Sequence, residues 1–252
     1  MTERRDFDSY LDAQQTNLSQ IRRLPYFALV ERTHELYGTS LGMIPQTAPV
    51  HFGRLFLICH KSLVSAAATI GRALPGDAGA VTRRAIEAAC LARAIKHDRK
   101  NVDRWLSYEQ RMARWVARHE GTKPKQLKDA KIVDPPGHAL VEALRARVGI
   151  LSDAAVHFTP EFFSTLDWRL VDPGGEANPF VHLQYFEPSQ REIERALIDL
   201  AGTHAQIVDL FDECFDGAFH IQPRWRQVRE DLQRRGHALA QPFRAEAEGQ
   251  ES

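Results

Sequence analysis

The chain of 252 residues lacks the features that mark secreted, membrane-spanning and disulfide-stabilised proteins. Its unbroken apolar runs, such as residues 55–59, are far shorter than the roughly 18 residues of a membrane-spanning helix, and the N-terminus has no apolar signal core. The three cysteines are far apart and odd in number, which excludes a disulfide framework. The sequence therefore predicts a soluble, unexported protein of the reducing cytoplasm, with no membrane partner.

A net charge is also lacking, because 33 basic residues balance 33 acidic ones. Dedicated nucleic-acid-binding domains usually carry a basic excess, so this balance argues against that class while allowing a local basic patch. The charge is uneven, with 14 Lys/Arg against 6 Asp/Glu over residues 83–131 and 2 against 7 over residues 191–216. The two stretches predict helix faces that pair within the molecule or, because twofold dimers are the commonest assembly, a homodimer.

The common nucleotide-binding and hydrolase motifs are missing as well. The sequence contains no GxxxxGK[ST], no GxGxxG after a strand, no HExxH and no GxSxG. Any chemistry would have to come from polar residues on apolar helix faces, where an ionisable group costs free energy unless it is paired or used. No cofactor is indicated, and whether the chain is an enzyme stays open.

Apolar residues at helical spacing are present over most of the chain and predict a mainly α fold, a helical bundle. Residues 6–36 predict two short helices broken near Pro25, because proline removes a backbone donor. The other predicted helices cover residues 51–74, 78–97, 99–120, 138–157, 189–216 and 224–236. The helix over 51–74 is apolar nearly all round, which is typical of a central position.

The one predicted departure from helix is a small antiparallel β-hairpin. Short runs rich in Val, Leu and aromatic residues flank the turn sequence PGGEANP, which is the pattern of two strands and a connecting turn over about residues 166–186. We predict a single helical domain over residues 1–240 with this hairpin inserted, followed by a disordered tail over 241–252.

The first candidate polar group lies in the segment RRAIEAA. Glu87 follows Arg83 by one helical turn on a face that also carries Ala80, and Arg84 is adjacent. Such an ion pair adds only a few tenths of a kcal/mol to an isolated helix, so helix stabilisation is the alternative to a functional site.

The second candidate group lies in the segment LSDAAVHFTP. Asp153 and His157 are four residues apart and share a helix face, so the carboxylate can orient the imidazole as in acid/base and metal sites. Gly149, one turn earlier, predicts close approach of another element. The alternative is an Asp–His pair that ends a helix, stabilised by the negative end of the helix dipole. We expect Glu87 and His157 to lie within reach of each other and to line one recess.

A third pattern is the Glu31–His34 pair, which has the ExxH spacing of ferritin-like di-iron bundles but occurs once. It supports a second hypothesis, a carboxylate/His metal-binding bundle. The ligands of that site would be Glu31, His34, Glu87, Asp153 and His157. A third hypothesis is a non-enzymatic interaction protein in which these residues only fix helix packing.

The order of RRAIEAA, a long helix and LSDAAVHFTP over about residues 50–215 resembles a group of uncharacterised bacterial helical proteins. Some of these are similar to distant members of the HEPN superfamily, which includes abortive-infection and toxin proteins. In that resemblance Arg84 and Glu87 fit an Arg-x-x-Glu element, and Ser152 and His157 fit a Ser-x4-His element.

HEPN ribonucleases use R-x(4–6)-H, in which arginine holds the phosphate and histidine performs acid/base cleavage with the RNA 2′-hydroxyl. Ser152 stands where that arginine would be, and the Arg54-x5-His60 spacing lies in the most apolar helix. Arg83 or Arg84 would then have to supply the arginine from another helix.

The resemblance implies a HEPN-like stress or defence-associated protein. It would be a weak or degenerate metal-independent ribonuclease or a nucleotide-binding module, with RNA or a nucleotide as its partner. The catalytic residues it implies are Arg84, Glu87, Asp153 and His157.

Overall fold

A computed structural model describes residues 7–107, 135–155, 168–171, 180–183 and 188–250. Within these ranges the chain forms eight helices, which confirms the mainly helical fold. They are α1 (Phe7–Ile21), α2 (Phe27–Leu41), α3 (Val50–Gly71), α4 (Pro75–His97), α5 (residues 100–107), α6 (Ala139–Ala155), α7 (Gln190–Cys214) and α8 (Pro223–Gln250). The rest of the helix predicted over 99–120 lies outside the described residues.

Two of the predicted helix boundaries are placed differently from the sequence expectation. Pro75 was expected to end the preceding helix, but it is the first residue of α4. Proline suits this position because the first backbone N–H of a helix has no partner within the helix. The chain leaves α3 through Ala73, whose φ of 63° is left-handed. Asp77 lies in the first turn of α4, where its negative charge interacts favourably with the positive end of the helix dipole.

The start of α7 follows directly from a local sequence pattern. Ser189 Oγ accepts a hydrogen bond from the Glu192 backbone N–H at 3.2 Å, and Glu192 Oε2 accepts one from the Ser189 N–H at 2.8 Å. This reciprocal capping box satisfies two backbone donors that have no partner within the helix. The predicted start of the helix at residue 189 is therefore confirmed to within one residue.

The core forms where α3 packs against α2, α4 and α7. Fully buried alanines of α4, among them Ala85 and Ala89, let α3 approach closely, and the Cys59 thiol donates to the Ala85 carbonyl at 3.3 Å. Phe56 packs edge-on against Phe211 of α7 at 5.0 Å between ring centroids. None of the described helices has both the length and the apolar character required to cross a membrane.

The segments β1 (Trp168–Val171) and β2 (Phe180–Leu183) pair in antiparallel register, with Trp168 opposite Leu183. The connecting residues and all side chains of this pair lie outside the described part of the structure, and the described contacts do not place the pair against the bundle. The hairpin over 166–186, as an element inserted in the domain, therefore stays a prediction.

The C-terminal helix is longer than the sequence indicates. A last helix over 224–236 and a disordered tail from residue 241 were expected, whereas α8 continues past Pro242 to Gln250. Phe243 is buried beneath Arg191, with 3.6 Å from the guanidinium carbon to the ring centroid, and Arg191 also pairs with Glu246 at 2.5 Å. The stabilisation from these contacts with α7 compensates for the backbone hydrogen bond that Pro242 cannot donate within the helix.

Candidate functional site

The first predicted polar group is a surface ion pair in the structure. Arg83 Nε lies 2.9 Å from Glu87 Oε1 within α4, and the Glu87 side chain is 46% exposed. This geometry agrees with the helix-stabilising alternative. Arg84 does not join the pair and instead lines a groove between α3 and α4.

The second predicted group is only partly described. Asp153 lies in the last turn of α6, but its side chain and the whole of His157 are outside the described residues. The expected proximity of Glu87 and His157 stays a prediction. The close approach expected at Gly149 is not found among the described residues, where Gly149 is exposed and a Cβ added there would meet no atom within 4 Å. The side of α6 that packs on the core carries Val141 and Leu144.

The groove that Arg84 lines, called the α3/α4 groove below, has a volume of about 390 Å³. Its lining residues are Ile58, Lys61, Ser62, Ser65, Ala80, Val81 and Arg84. It thus combines two cationic side chains with two hydroxyls on a partly apolar floor, and none of the described residues that line it is acidic. Arginine and lysine beside hydroxyl donors favour an anionic group, phosphate in particular.

Lys61 also belongs to an exposed strip along α3. The α3 strip comprises Val50, Arg54, Leu57, Lys61 and Val64, and its three apolar members each expose half or more of their surface. The sequence predicted that this apolar helix would be central and covered all round. That expectation was wrong for one side, since α1, α2, α4 and α7 cover the rest of the helix.

Sequence reasoning missed a histidine–tyrosine cluster between α2, α3 and α7. His34 Nδ1 lies 2.9 Å from His60 Nε2, and the ring of Tyr37 stacks on His60 with centroids 5.0 Å apart. The Tyr37 hydroxyl lies 2.9 Å from Nδ1 of His204. The available signal was the i, i+3 placement of His34 and Tyr37, but the other two members lie far away in sequence.

Burial controls the protonation of this cluster. It lowers the pKa of the fully buried His204 to about 3, with a smaller contribution from His60. The pKa of His60 is also lowered, by burial and then by His34. His204 is therefore neutral at pH 7, and its Nε2 is buried without a hydrogen-bond partner among the described residues.

The metal-site hypothesis finds little support in the part of the chain that the structure describes. There, no three His, Cys, Asp or Glu side chains converge to hold a metal ion. His34 pairs with His60, and Glu87 pairs with Arg83. Glu31 is exposed on α2. Asp153 and His157 contribute no described ligand atom.

An Asp–His pair does occur, although at a different place from the one the sequence indicated. Asp212 Oδ2 lies 2.6 Å from Nδ1 of His220, and Asp212 Oδ1 accepts the backbone N–H of Phe219 at 2.7 Å. The His220 side chain is 60% exposed. A carboxylate at Nδ1 fixes the tautomer of the ring and leaves Nε2 as the basic nitrogen.

The complementary charges of residues 83–131 and 191–216 meet within one chain. Arg93 of α4 lies 3.2 Å from Glu213, and Lys96 lies 2.6 Å from Asp216. The intramolecular alternative therefore accounts for these two pairs, whereas residues 108–131 of the basic stretch lie outside the described residues. The homodimer itself stays a prediction.

Comparisons with known proteins add no relative. No family model, curated protein or solved structure matches the chain. The resemblance to HEPN-like proteins accordingly stays an expectation that comes from the sequence motifs.

Proposed function

We propose that the α3/α4 groove binds the phosphate of a ribonucleotide, free or within RNA, and that the protein is a HEPN-like stress or defence-associated module. The observation that carries the proposal is the convergence of Lys61 and Arg84, from two helices, on a groove with two serine hydroxyls. Arg84 is also the arginine that the resemblance assigns to the site.

The chemistry of the groove fits a nucleotide on three counts. A guanidinium binds phosphate oxygens through two parallel N–H groups, and an ammonium adds a compact charge. Ile58 and Val81 give an apolar wall for a base or sugar. The volume of about 390 Å³ is within the usual range of small-molecule sites.

Binding of ATP and of a short fluorescein-labelled single-stranded RNA tests the proposal, measured by calorimetry and by fluorescence anisotropy. Arg84→Gln and Lys61→Gln should each weaken binding about tenfold, because each removes a charged hydrogen-bond donor. For RNA, the logarithm of the affinity should fall less steeply with the logarithm of salt concentration in each variant.

Arg83→Gln is the matched control, because Arg83 is the neighbouring arginine on α4 and pairs with Glu87 rather than lining the groove. It should leave both affinities within about twofold of the parent. Equal losses for Arg83→Gln and Arg84→Gln would mean that only the general charge of α4 matters, and the groove would be rejected as the site.

Cleavage is the second part of the proposal and rests on the resemblance, which implies His157 as the acid/base group. We expect slow RNA cleavage that persists in a metal chelator and ends with a 2′,3′-cyclic phosphate. His157→Ala should abolish cleavage and leave binding in the groove intact. A protein that binds RNA and does not cleave it would be a nucleotide-binding module.

The cytoplasmic location and the homodimer are part of the same proposal. The three cysteines are free and buried, which suits a reducing compartment. The α3 strip supplies exposed apolar side chains for self-association, with Leu57 near its middle. Light scattering should show a dimer that Leu57→Asp converts to a monomer.

A further inference from the structure

A second group of cationic side chains surrounds one carboxylate where α2 meets α8. Asp231 is nearly fully buried and contacts three guanidinium groups. Arg32 Nε of α2 lies 2.9 Å from it, Arg234 Nη2 lies 2.6 Å away and Arg235 Nε lies 2.9 Å away. Hydrogen bonds from Arg234 and Arg235 lower the pKa of Asp231 to about 2, so it stays ionised at neutral pH.

Glu35 extends the group without neutralising it. Its carboxylate lies 2.5 Å from Arg32 Nη1 and 3.7 Å from Arg224 Nη2. Arg32, Arg224, Arg234 and Arg235, called the arginine cluster below, therefore share the two carboxylates Glu35 and Asp231. Four positive charges against two negative ones leave a surplus of two.

Helix packing accounts for two of these arginines, because Arg32 and Arg224 each join α2 to α8 through a carboxylate of the other helix. Arg234 and Arg235 lie on the same helix as Asp231 and cross-link nothing. Elsewhere on α8, Arg229 meets Asp209 of α7 through two contacts of 2.8 and 2.6 Å, one cation to one anion. That pair stabilises helix packing without any surplus charge.

The surplus guanidinium groups face solvent and retain N–H donors. The side chains of Arg224, Arg234 and Arg235 are 76%, 78% and 53% exposed. Each guanidinium has five N–H groups, and the described contacts of each of these three use one nitrogen. Arg234 and Arg235 share the Asp231 carboxylate, so their free donors lie side by side and can hold an anion together.

A shallow, largely open recess lies next to the arginine cluster. Along α8 it is lined by Arg234 together with Gln233, His237 and Gln241. Glu230 lines it as well, and counting its carboxylate still leaves one surplus positive charge. The polar side chains of the recess suit a hydroxyl-bearing group attached to the anion.

We propose that the arginine cluster binds a phosphate monoester, with its terminal oxygens on Arg234 and Arg235 and with Arg224 adding positive charge beside them. A monoester carries three terminal oxygens and about −1.5 to −2 charges at pH 7, which matches several guanidinium groups better than a diester or a single carboxylate does. The site lies on α2 and α8 and does not depend on ligand binding in the α3/α4 groove.

Calorimetric titration of the full chain with inorganic phosphate, in chloride buffer of constant ionic strength, tests the site. Saturable binding should weaken at least about tenfold in the double variant Arg234→Gln/Arg235→Gln, because two charged donors are lost. Arg226→Gln, an exposed arginine of the same helix, is the matched control and should stay within about twofold of the parent. Absence of saturable binding, or equal affinity in all three proteins, would overturn the proposal.

Two further variants keep the test decisive. Arg224→Gln removes a cluster member that does not touch Asp231, so it reports on the site even if the double variant fails to fold. It should weaken phosphate binding, and an unchanged affinity would overturn its assigned role. Lys61→Gln/Arg84→Gln should leave phosphate binding at the cluster unchanged, which separates this site from the nucleotide proposal.

The carrier of the phosphate is resolved by comparing 5′-AMP with one RNA bearing either a 5′-phosphate or a 5′-hydroxyl. Tighter binding of the 5′-phosphorylated RNA, lost in Arg234→Gln/Arg235→Gln, would assign the site to RNA ends. The same result with AMP alone would assign it to small monophosphates. Affinities that the double variant does not change would count against the cluster with either ligand.

Discussion

Two histidines show how burial, rather than pairing, decides what a polar group can do. His204 and His220 each have Nδ1 next to an oxygen, that of the Tyr37 hydroxyl at 2.9 Å and that of the Asp212 carboxylate at 2.6 Å. His204 is fully buried and its pKa falls to about 3, whereas the His220 side chain is 60% exposed. The first ring is fixed as a neutral core residue, and the second keeps more than half of its surface in contact with solvent.

The largest expected difference between the two sites is in stability. His204→Ala should lower the free energy of unfolding by about 3 kcal/mol, because it leaves a cavity and removes the partner of the buried Tyr37 hydroxyl. His220→Ala should lower it by only about 1 kcal/mol, since Asp212 keeps the backbone N–H of Phe219. Urea unfolding of the two variants measures both values, and equal losses would contradict the role assigned to burial.

The pH dependence of stability sharpens the same comparison. The unfolded chain protonates His204 near pH 6.5, whereas the folded chain does so only near pH 3. The unfolded state therefore binds more protons between these values, and stability falls as pH is lowered through that window. From pH 7 to pH 5 the contribution of His204 should amount to about 2 kcal/mol of lost stability.

His204→Gln isolates this contribution, because glutamine keeps polar atoms in the site and does not titrate. Its stability should fall less than that of the parent between pH 7 and pH 5, as followed by urea unfolding at each pH. An identical pH dependence in the two proteins would mean that His204 is not a neutral core residue.

Gly217, in the turn that holds His220, and Gly149, on the exposed surface of α6, have contrasting surroundings. Gly217 has a φ of +79°, and a Cβ there would lie 2.4 Å from Cε1 of His220, whereas a Cβ at Gly149 meets none of the described atoms within 4 Å. Gly217→Ala should therefore destabilise the protein by about 1–2 kcal/mol, and Gly149→Ala should stabilise it by about 0.5–1 kcal/mol. Melting temperatures should shift in opposite directions, and a shared sign would show that one of the two surroundings is described wrongly.

Helix boundaries that depend on residues close in sequence were predicted, whereas side-chain pairs that depend on tertiary contacts were missed. The Ser189 start of α7 follows from a four-residue pattern, and the break near Pro25 follows from a missing donor. Asp212 and His220 are eight residues apart, about 12 Å along a continuous helix, and the turn at Gly217 brings them together. Tyr37 and His204 are 167 residues apart.

The predicted site shows the same contrast between local sequence pattern and tertiary contacts. Arg84 was chosen for its motif and does line a groove, but the polar residues beside it there come from α3 and are not visible in RRAIEAA. The extension of α8 was missed because Pro242 is a strong local signal against helix, and the contacts of Phe243 and Glu246 with α7 outweigh it.

The smallest expected effect is that of breaking an ion pair on the protein surface. Arg83 Nε and Glu87 Oε1 lie 2.9 Å apart on the surface of α4. Water solvates both groups after the pair is broken, so the pair contributes little to the free energy of unfolding. Glu87→Gln should change the free energy of unfolding by no more than about 0.5 kcal/mol, the value typical of an i, i+4 helix pair. It should also leave RNA affinity at the α3/α4 groove unchanged, because Glu87 does not line that groove.

A loss above about 2 kcal/mol in urea unfolding would show that Glu87 has a buried cationic partner beyond Arg83. Unchanged stability with lost RNA cleavage would instead restore Glu87 to the catalytic set that the sequence motif assigned to it.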